Sequence, residues 1–124
     1  MLEATAYGIR HLLESIAQAG AVADRYVAVG GGTKGGVWAQ IVSDVCNIEQ
    51  DLPKFAIGAS YGDALMAAQV AGLADESTNW AQIAHTVRPN PENQAVYDAL
   101  YEHYLNLYPA TKDTQHFLSV LHIG

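Results

Sequence analysis

The feature that most constrains this chain is the run Gly30-Gly31-Gly32-Thr33-Lys34-Gly35-Gly36, where five of seven residues are glycine. Glycine loses more conformational freedom on ordering than any other residue, so such a run disfavours the interior of a helix or strand and forces a turn. What flanks it gives the turn a setting. Tyr26-Val27-Ala28-Val29 is apolar at every position, the pattern of a short strand buried on both faces of a parallel sheet. After the run, Trp38, Ile41, Val42, Val45 and Cys46 recur at helical spacing. Strand, glycine turn and helix therefore follow in order.

Gly30, Gly32 and Gly35 satisfy the spacing G-x-G-x-x-G in the context that gives that pattern meaning. Backbone N–H groups entering a helix favour phosphate, and glycines let it come close. By itself the turn admits a dinucleotide, a phosphate or no ligand. A dinucleotide fold wants an acid closing a second strand about 20 residues on. Glu49 and Asp51 lie near that distance, but Asn47 to Pro53 makes a poor buried strand. A phosphate loop of the Gly-Lys-Ser/Thr type is excluded, because Lys34 precedes the last two glycines.

The rest of the chain reads mainly as helix. Leu2, Ala6, Ile9, Leu13 and Ile16 fall on one helical face that Gly20 can end. A second helix of small residues runs from about Ser60 to Val70, with Gly58, Gly62, Ala64, Ala67 and Ala68 allowing another backbone close approach, and Gly72 can end it. Residues 74–90 read as a loop with a turn near Trp80. Asn90-Pro91-Glu92 is a helix start with Asn as cap, Pro first and an acid in the first turn. Tyr97, Tyr101, Tyr104 and Tyr108 share one stripe, which is expected to pack on the domain with hydroxyls at its edge. Pro109 is expected to stop that helix, with a last short helix following through Phe117, Leu118 and Leu121.

Length and composition narrow the chemistry. At 124 residues the chain fits one domain or part of one, and 50% apolar content with 15% charged residues argues for a packed structure. A net charge of -7 disfavours nucleic acid and anionic membrane surfaces as partners. The single Cys46 excludes an internal disulfide and suits a reducing compartment, so the chain is expected to be cytoplasmic. No apolar stretch reaches membrane-spanning length, and no metal-ligand spacing such as H-E-x-x-H occurs among the five histidines. Gly58-Ala59-Ser60-Tyr61-Gly62 fits the nucleophile elbow G-x-S-x-G, which would make Ser60 a hydrolase nucleophile. A small-residue helix start explains it as well.

Taken together, the segments from Val27 to Val45 resemble the adenosine-motif region of the FGGY carbohydrate kinases, in which a strand, a glycine turn and a Trp-x-Gln-x-x-x-Asp helix follow one another. Gly58 to Leu65 is similar to that family's small-residue helix. Leu2 to His11 resembles the helix before the strand, and Pro89 to Asn93 with Tyr97 and Tyr101 resembles the final helical stretch, with the xylulokinase-like branch nearest in character.

The resemblance implies an α/β chain, part of a ribonuclease H-like, actin-like ATPase lobe with few buried strands, packed helices and a helix-rich C-terminal end. It implies that residues 1–124 form one partial domain, the C-terminal portion of the C-terminal lobe. The sugar-binding N-terminal lobe would lie outside this sequence. Family members transfer the γ-phosphoryl group of MgATP to a sugar hydroxyl, here a pentulose such as xylulose, and most catalytic contacts come from the other lobe. ATP and Mg2+ are therefore implied for the intact kinase, with no catalytic residue and no metal ligand in this chain and no activity from it alone. Carried onto this sequence, Gly31 meets the nucleotide, Gly30 and Gly32 shape the turn, and Lys34 flanks the adenosine. Gly35 stands where the family more often has Asn or Ser. Gln40 and Asp44 are expected to orient the helix. The alternatives are a nucleotide- or dinucleotide-binding module without catalysis, which could pair with itself as a homo-dimer through an exposed sheet edge, and a Ser60 hydrolase.

Overall fold

The structure is a computed structural model that describes residues 2–55 and 57–121. Four helices dominate it: α1 (Leu2–Gln18), α2 (Val37–Cys46), α3 (Ala59–Val70) and α4 (Pro91–Leu121). Two short strands, β1 (Gln50–Pro53) and β2 (Ile83–Val87), pair antiparallel, with Gln50 opposite Val87 and a register irregularity between Leu52 and Pro53. Each expected helix boundary up to α3 holds. Gly20 and Gly72 take φ of 88° and 71° just past α1 and α3, a conformation that L side chains adopt only under strain.

The core lies where α1, α2 and α4 meet. Ala6 and Tyr7 from α1, Val42 and Val45 from α2, and Tyr101 from α4 are buried against one another. The tyrosine stripe supplies much of this contact. Tyr7 sits with its ring centroid 6.4 Å from Tyr97, 6.1 Å from Tyr101 and 5.6 Å from Tyr104, within the range of favourable aromatic pairs. Arg10 joins the three helices. Its Nη1 donates to Asp98 Oδ1 at 2.6 Å and to the Val45 carbonyl at 3.2 Å, its Nε donates to Glu14 at 3.0 Å, and its guanidinium lies 4.2 Å from the Tyr101 ring centroid. Tyr108, the last residue of the stripe, is exposed.

Four local expectations differ from the structure. Residues 26–29 make a single parallel bridge, Val27 to Asp51, and Val27 and Val29 are 45% and 61% exposed rather than buried on both faces. Among the described residues only β1 bonds the backbone of this segment, through Asp51 N–H to the Tyr26 carbonyl and Ala28 N–H to the Asp51 carbonyl. The segment 74–90 contains β2, which forms because its backbone groups complete a ladder with β1. α4 does not stop at Pro109 but runs through it for 31 residues. The acceptor that Pro109 leaves without its N–H is the Leu105 carbonyl, one bond of the helix, and Tyr108, Pro109 and Ala110 around it are exposed, where water can serve a backbone acceptor. Finally, the small residues of α3 do not bury it: no residue of the helix is buried, and a Cβ built on Gly62 meets nothing within 4 Å.

Candidate functional site

The glycine run folds into a 3-10 turn over Gly31–Gly35, between the extended segment and α2. Its two ends require glycine. Gly30 takes φ 101° with ψ 179°, and Gly36 takes φ 68° with ψ -46°. Thr33 closes the turn: its N–H and its Oγ1 both donate to the Gly30 carbonyl, at 3.3 and 2.7 Å. The N–H groups of Gly31 and Gly32 precede this first hydrogen-bonded ring, so the turn itself does not use them.

The turn is open on one side and supported on the other. A Cβ built on Gly31 or Gly35 meets nothing within 4 Å, whereas one built on Gly32 would lie 2.9 Å from Cδ1 of Trp38. Gly30, Gly31, Gly32, Lys34 and Gly35 are thus brought together on one small surface, with Lys34 and the glycines from Gly31 to Gly35 exposed. The open space at Gly35 is where an Asn or Ser side chain could stand without strain, since its φ lies outside the left-handed region.

α2 carries the turn into the core and is held there by two polar systems. Asp44, only 4% exposed, accepts from Gln40 Nε2 at 2.8 Å, from the Asn90 N–H at 2.7 Å and from Asn93 Nδ2 at 2.8 Å. Gln40 also donates to the Arg88 carbonyl at 2.8 Å. The carboxylate therefore stands at the N-terminus of α4, where backbone N–H groups and the helix dipole favour negative charge. Asn90 Oδ1 receives the Glu92 N–H at 3.1 Å, which is the cap expected from the sequence. On the strand side, buried Gln50 donates to the Ala39 carbonyl and to Ser43 Oγ at 3.0 and 2.9 Å. Gln40 and Asp44 orient the helix, as expected; Gln50 and Ser43 share the task, and sequence spacing did not single them out.

The competing candidates are placed elsewhere. Asp51 bonds Thr86 and pairs with Arg25 at 2.8 Å, and these contacts, Thr86 foremost, hold its carboxyl below the usual range. Glu49 pairs with Arg88 at 3.0 Å. Both acids are thereby committed away from the glycine turn. Ser60 Oγ donates to the Ile57 carbonyl at 3.5 Å, and no histidine is among its hydrogen-bond partners in the described residues. His11, His85, His103 and His116 are exposed, His122 lies outside the described residues, and among the described residues no cluster of His, Cys, Asp or Glu is placed to hold a metal ion. No described helix is long and apolar enough to cross a membrane. Burial pushes the Cys46 thiol up to about 11, which makes it a poor nucleophile.

Fold and site together define an α/β lobe in which a glycine turn feeds a helix anchored at both ends. The description of the FGGY family of carbohydrate kinases, C-terminal domain, matches residues 1–71, and the chain belongs to that family. It is 32% identical over 118 residues to a ribulokinase of Bacillus licheniformis, covering 87% of this chain and 21% of that protein. It is 32% identical over 108 residues to an autoinducer-2 kinase of Salmonella paratyphi B, covering 79% of this chain and 19% of the relative. A solved xyloylose (xylulose) kinase from Brucella ovis superposes with a TM-score of 0.79 at 32% identity, over 91% of this chain and 24% of that one. The chain thus spans about a fifth of the length of the curated relatives it matches. The fold is that of the sugar kinases, the actin-like ATPase fold, here rich in helix with a small two-stranded sheet.

Proposed function

We propose that this chain supplies the adenosine-side surface of an ATP-dependent sugar kinase that phosphorylates a hydroxyl of a pentulose. The observation that carries this reading is the glycine turn: positive φ at Gly30 and Gly36, open space over Gly31 and Gly35, and two N–H groups that the turn does not consume. These features suit close approach of a nucleotide. The pentulose is favoured by a ribulokinase and a xylulose kinase among the relatives; the autoinducer-2 kinase supplies the competing substrate class. Mg2+ would accompany the phosphates of ATP, and this chain contributes no ligand to it in our reading. The surroundings of a cytoplasmic enzyme suit the free thiol of Cys46.

Residues 1–124 act in this proposal as the C-terminal portion of the C-terminal lobe, with the sugar and the catalytic base held by the N-terminal lobe. Phosphoryl transfer depends mainly on positioning and charge stabilisation, so this surface alone should not catalyse. Titration of the 15N-labelled chain with MgATP tests the assignment. We expect amide shifts centred on Gly30 to Gly35 and no phosphorylation of D-xylulose or L-ribulose. Shifts confined to another surface would remove the nucleotide from this turn, and turnover by the chain alone would refute the division of labour.

A second reading, a nucleotide-binding module that pairs with itself, draws on the exposure of Val27 and Val29 beside a strand segment bridged on one side. Sedimentation equilibrium separates the two, since self-pairing requires a dimer that a Val27→Lys substitution dissolves.

A further inference from the structure

We propose that Trp38 is a positioning residue that fixes the height and shape of the glycine turn, with Gly32 as the point of contact; the ligand side of this proposal rests on the nucleotide reading above. No side chain of the turn is buried, and its hydrogen bonds, those of the 3-10 turn itself and those from Thr33 back to Gly30, close within the turn rather than on the rest of the domain. The turn therefore has little of its own to hold it at a set distance from the domain. The indole supplies that support. Its Cδ1 and Nε1 lie 2.9 and 3.2 Å from where a Cβ of residue 32 would stand, so the ring edge rests against the glycine backbone with no room for a side chain between them.

The other side of the indole reaches the interior. Trp38 packs against the cluster of Ala6, Tyr7, Val42, Val45 and Tyr101, and it lines a cavity of about 250 Å³ with Leu13, Val27, Val29 and Val42. Thr33 of the turn reaches the same cavity, so the indole is the bulk that keeps the turn from settling into it. Removing the ring would enlarge the space beneath the turn and let Gly31 to Gly35 sink toward it, displacing the N–H groups that the turn leaves unused. Gly30 and Gly36, both at positive φ, are the joints at which that movement would occur. Binding geometry is sensitive to displacements of this size, because hydrogen bonds weaken steeply with distance and angle.

The test uses the full chain and has one arm without ligand and one with it. In the first, amide shifts and hydrogen exchange of Gly30 to Gly36 are compared in wild type, Trp38→Phe and Trp38→Ala, with Val42 and Val45 amides reporting the core. We expect exchange of the Thr33 amide, which the turn does bond, to quicken about tenfold or more in Trp38→Ala while core amides stay protected and the Gly31 and Gly32 amides shift, with smaller changes of the same sign in Trp38→Phe. In the second, the Mg2+ complex of a non-hydrolysable ATP analogue is titrated calorimetrically. Trp38→Ala should weaken binding about tenfold or more, and Trp38→Phe should recover most of the loss. Gly32→Ala should also weaken binding, and by less when the indole is absent from the same molecule, because the two substitutions act through one contact.

Unchanged turn amides in a folded Trp38→Ala chain overturn the proposal, as does a Gly32→Ala penalty that is the same with and without the indole. If wild type binds no analogue, the nucleotide reading fails, and the ligand-free arm still decides the role of Trp38. Should Trp38→Ala not fold, Trp38→Phe decides it: turn amides that match wild type refute the role.

Discussion

Two parts of this molecule are helical to similar degrees and are held in opposite ways. The seam of α1, α2 and the first half of α4 is tied by buried side chains and by charges satisfied from more than one helix. α3 and the far half of α4 are helical with almost nothing packed on them: Val70 is 91% exposed, and Met66, Phe117, Leu118 and Val120 are exposed as well. α4 is about 46 Å long and α1 about 25 Å at the usual rise per residue, so α4 outruns its partner. The lesson is that helical spacing in a sequence shows that a helix forms, not that its apolar face finds a neighbour within the same chain.

The comparison breaks most readily at Asp44. Asp44→Ala leaves the Asn90 N–H and the Asn93 and Gln40 amides without their shared acceptor, and should cost about 3 kcal/mol in urea unfolding. Asp113→Ala on the exposed end of α4 should cost less than about 0.5 kcal/mol. Next comes a matched pair of valines. Val45, with 0% exposure, should lose about 2 kcal/mol on truncation to Ala, and Val70→Ala should stay within about 0.5 kcal/mol. Equal losses in that pair would abolish the distinction between the two regions.

The pH dependence sharpens the same contrast more gently. The Cys46 thiol holds its proton more tightly when folded, its value raised from 9.0 to about 11 by burial. Its contribution is whole below pH 9 and is lost as pH climbs through about 11. Tyr101 moves in the same direction, through burial first and then its bond to Glu14. Alkaline titration of unfolding should therefore show the seam weakening from about pH 9 upward, and Cys46→Ala should flatten part of that loss. The smallest global effect belongs to Pro109→Ala. It should slow hydrogen exchange around residues 109–113 while leaving the midpoint of unfolding nearly unchanged, because that stretch opens apart from the core.

Much of the arrangement was legible because it is local. Gly20, Gly72 and the Asn90-Pro91-Glu92 start each act within a turn of their own position, and the helices they bound were readable for that reason. β2 was not: Ile83 to Val87 carries His85 and Thr86 without a clean alternation, and it is a strand only because β1 lies beside it. The full apolarity of residues 26–29 suggested burial on both faces, yet one bridge to Asp51 is all that the described chain provides. Pro109 misled through a local rule that holds in a buried helix and relaxes on an exposed one, where the single acceptor it frees can face water. In the candidate site, the glycines announced the turn and Asp44 its orienting role. Trp38 opened the Trp-x-Gln-x-x-x-Asp pattern, but the sequence assigned it no role beyond a helix face, and the contact at Gly32 is what supplies one.

α2 has ten residues, with Trp38 near its start and Asp44 near its end. Those two anchors are six residues apart, about 9 Å along the axis, and face directions fixed by the helical repeat. Inserting or deleting one residue between them would rotate one anchor by roughly 100° relative to the other. Either the indole would leave Gly32 or the carboxylate would leave α4. Relatives of this chain can therefore vary the length of the connection from Gly72 to Gln82 far more freely than that of α2. In lineages that change α2, both anchors should be found to have changed with it.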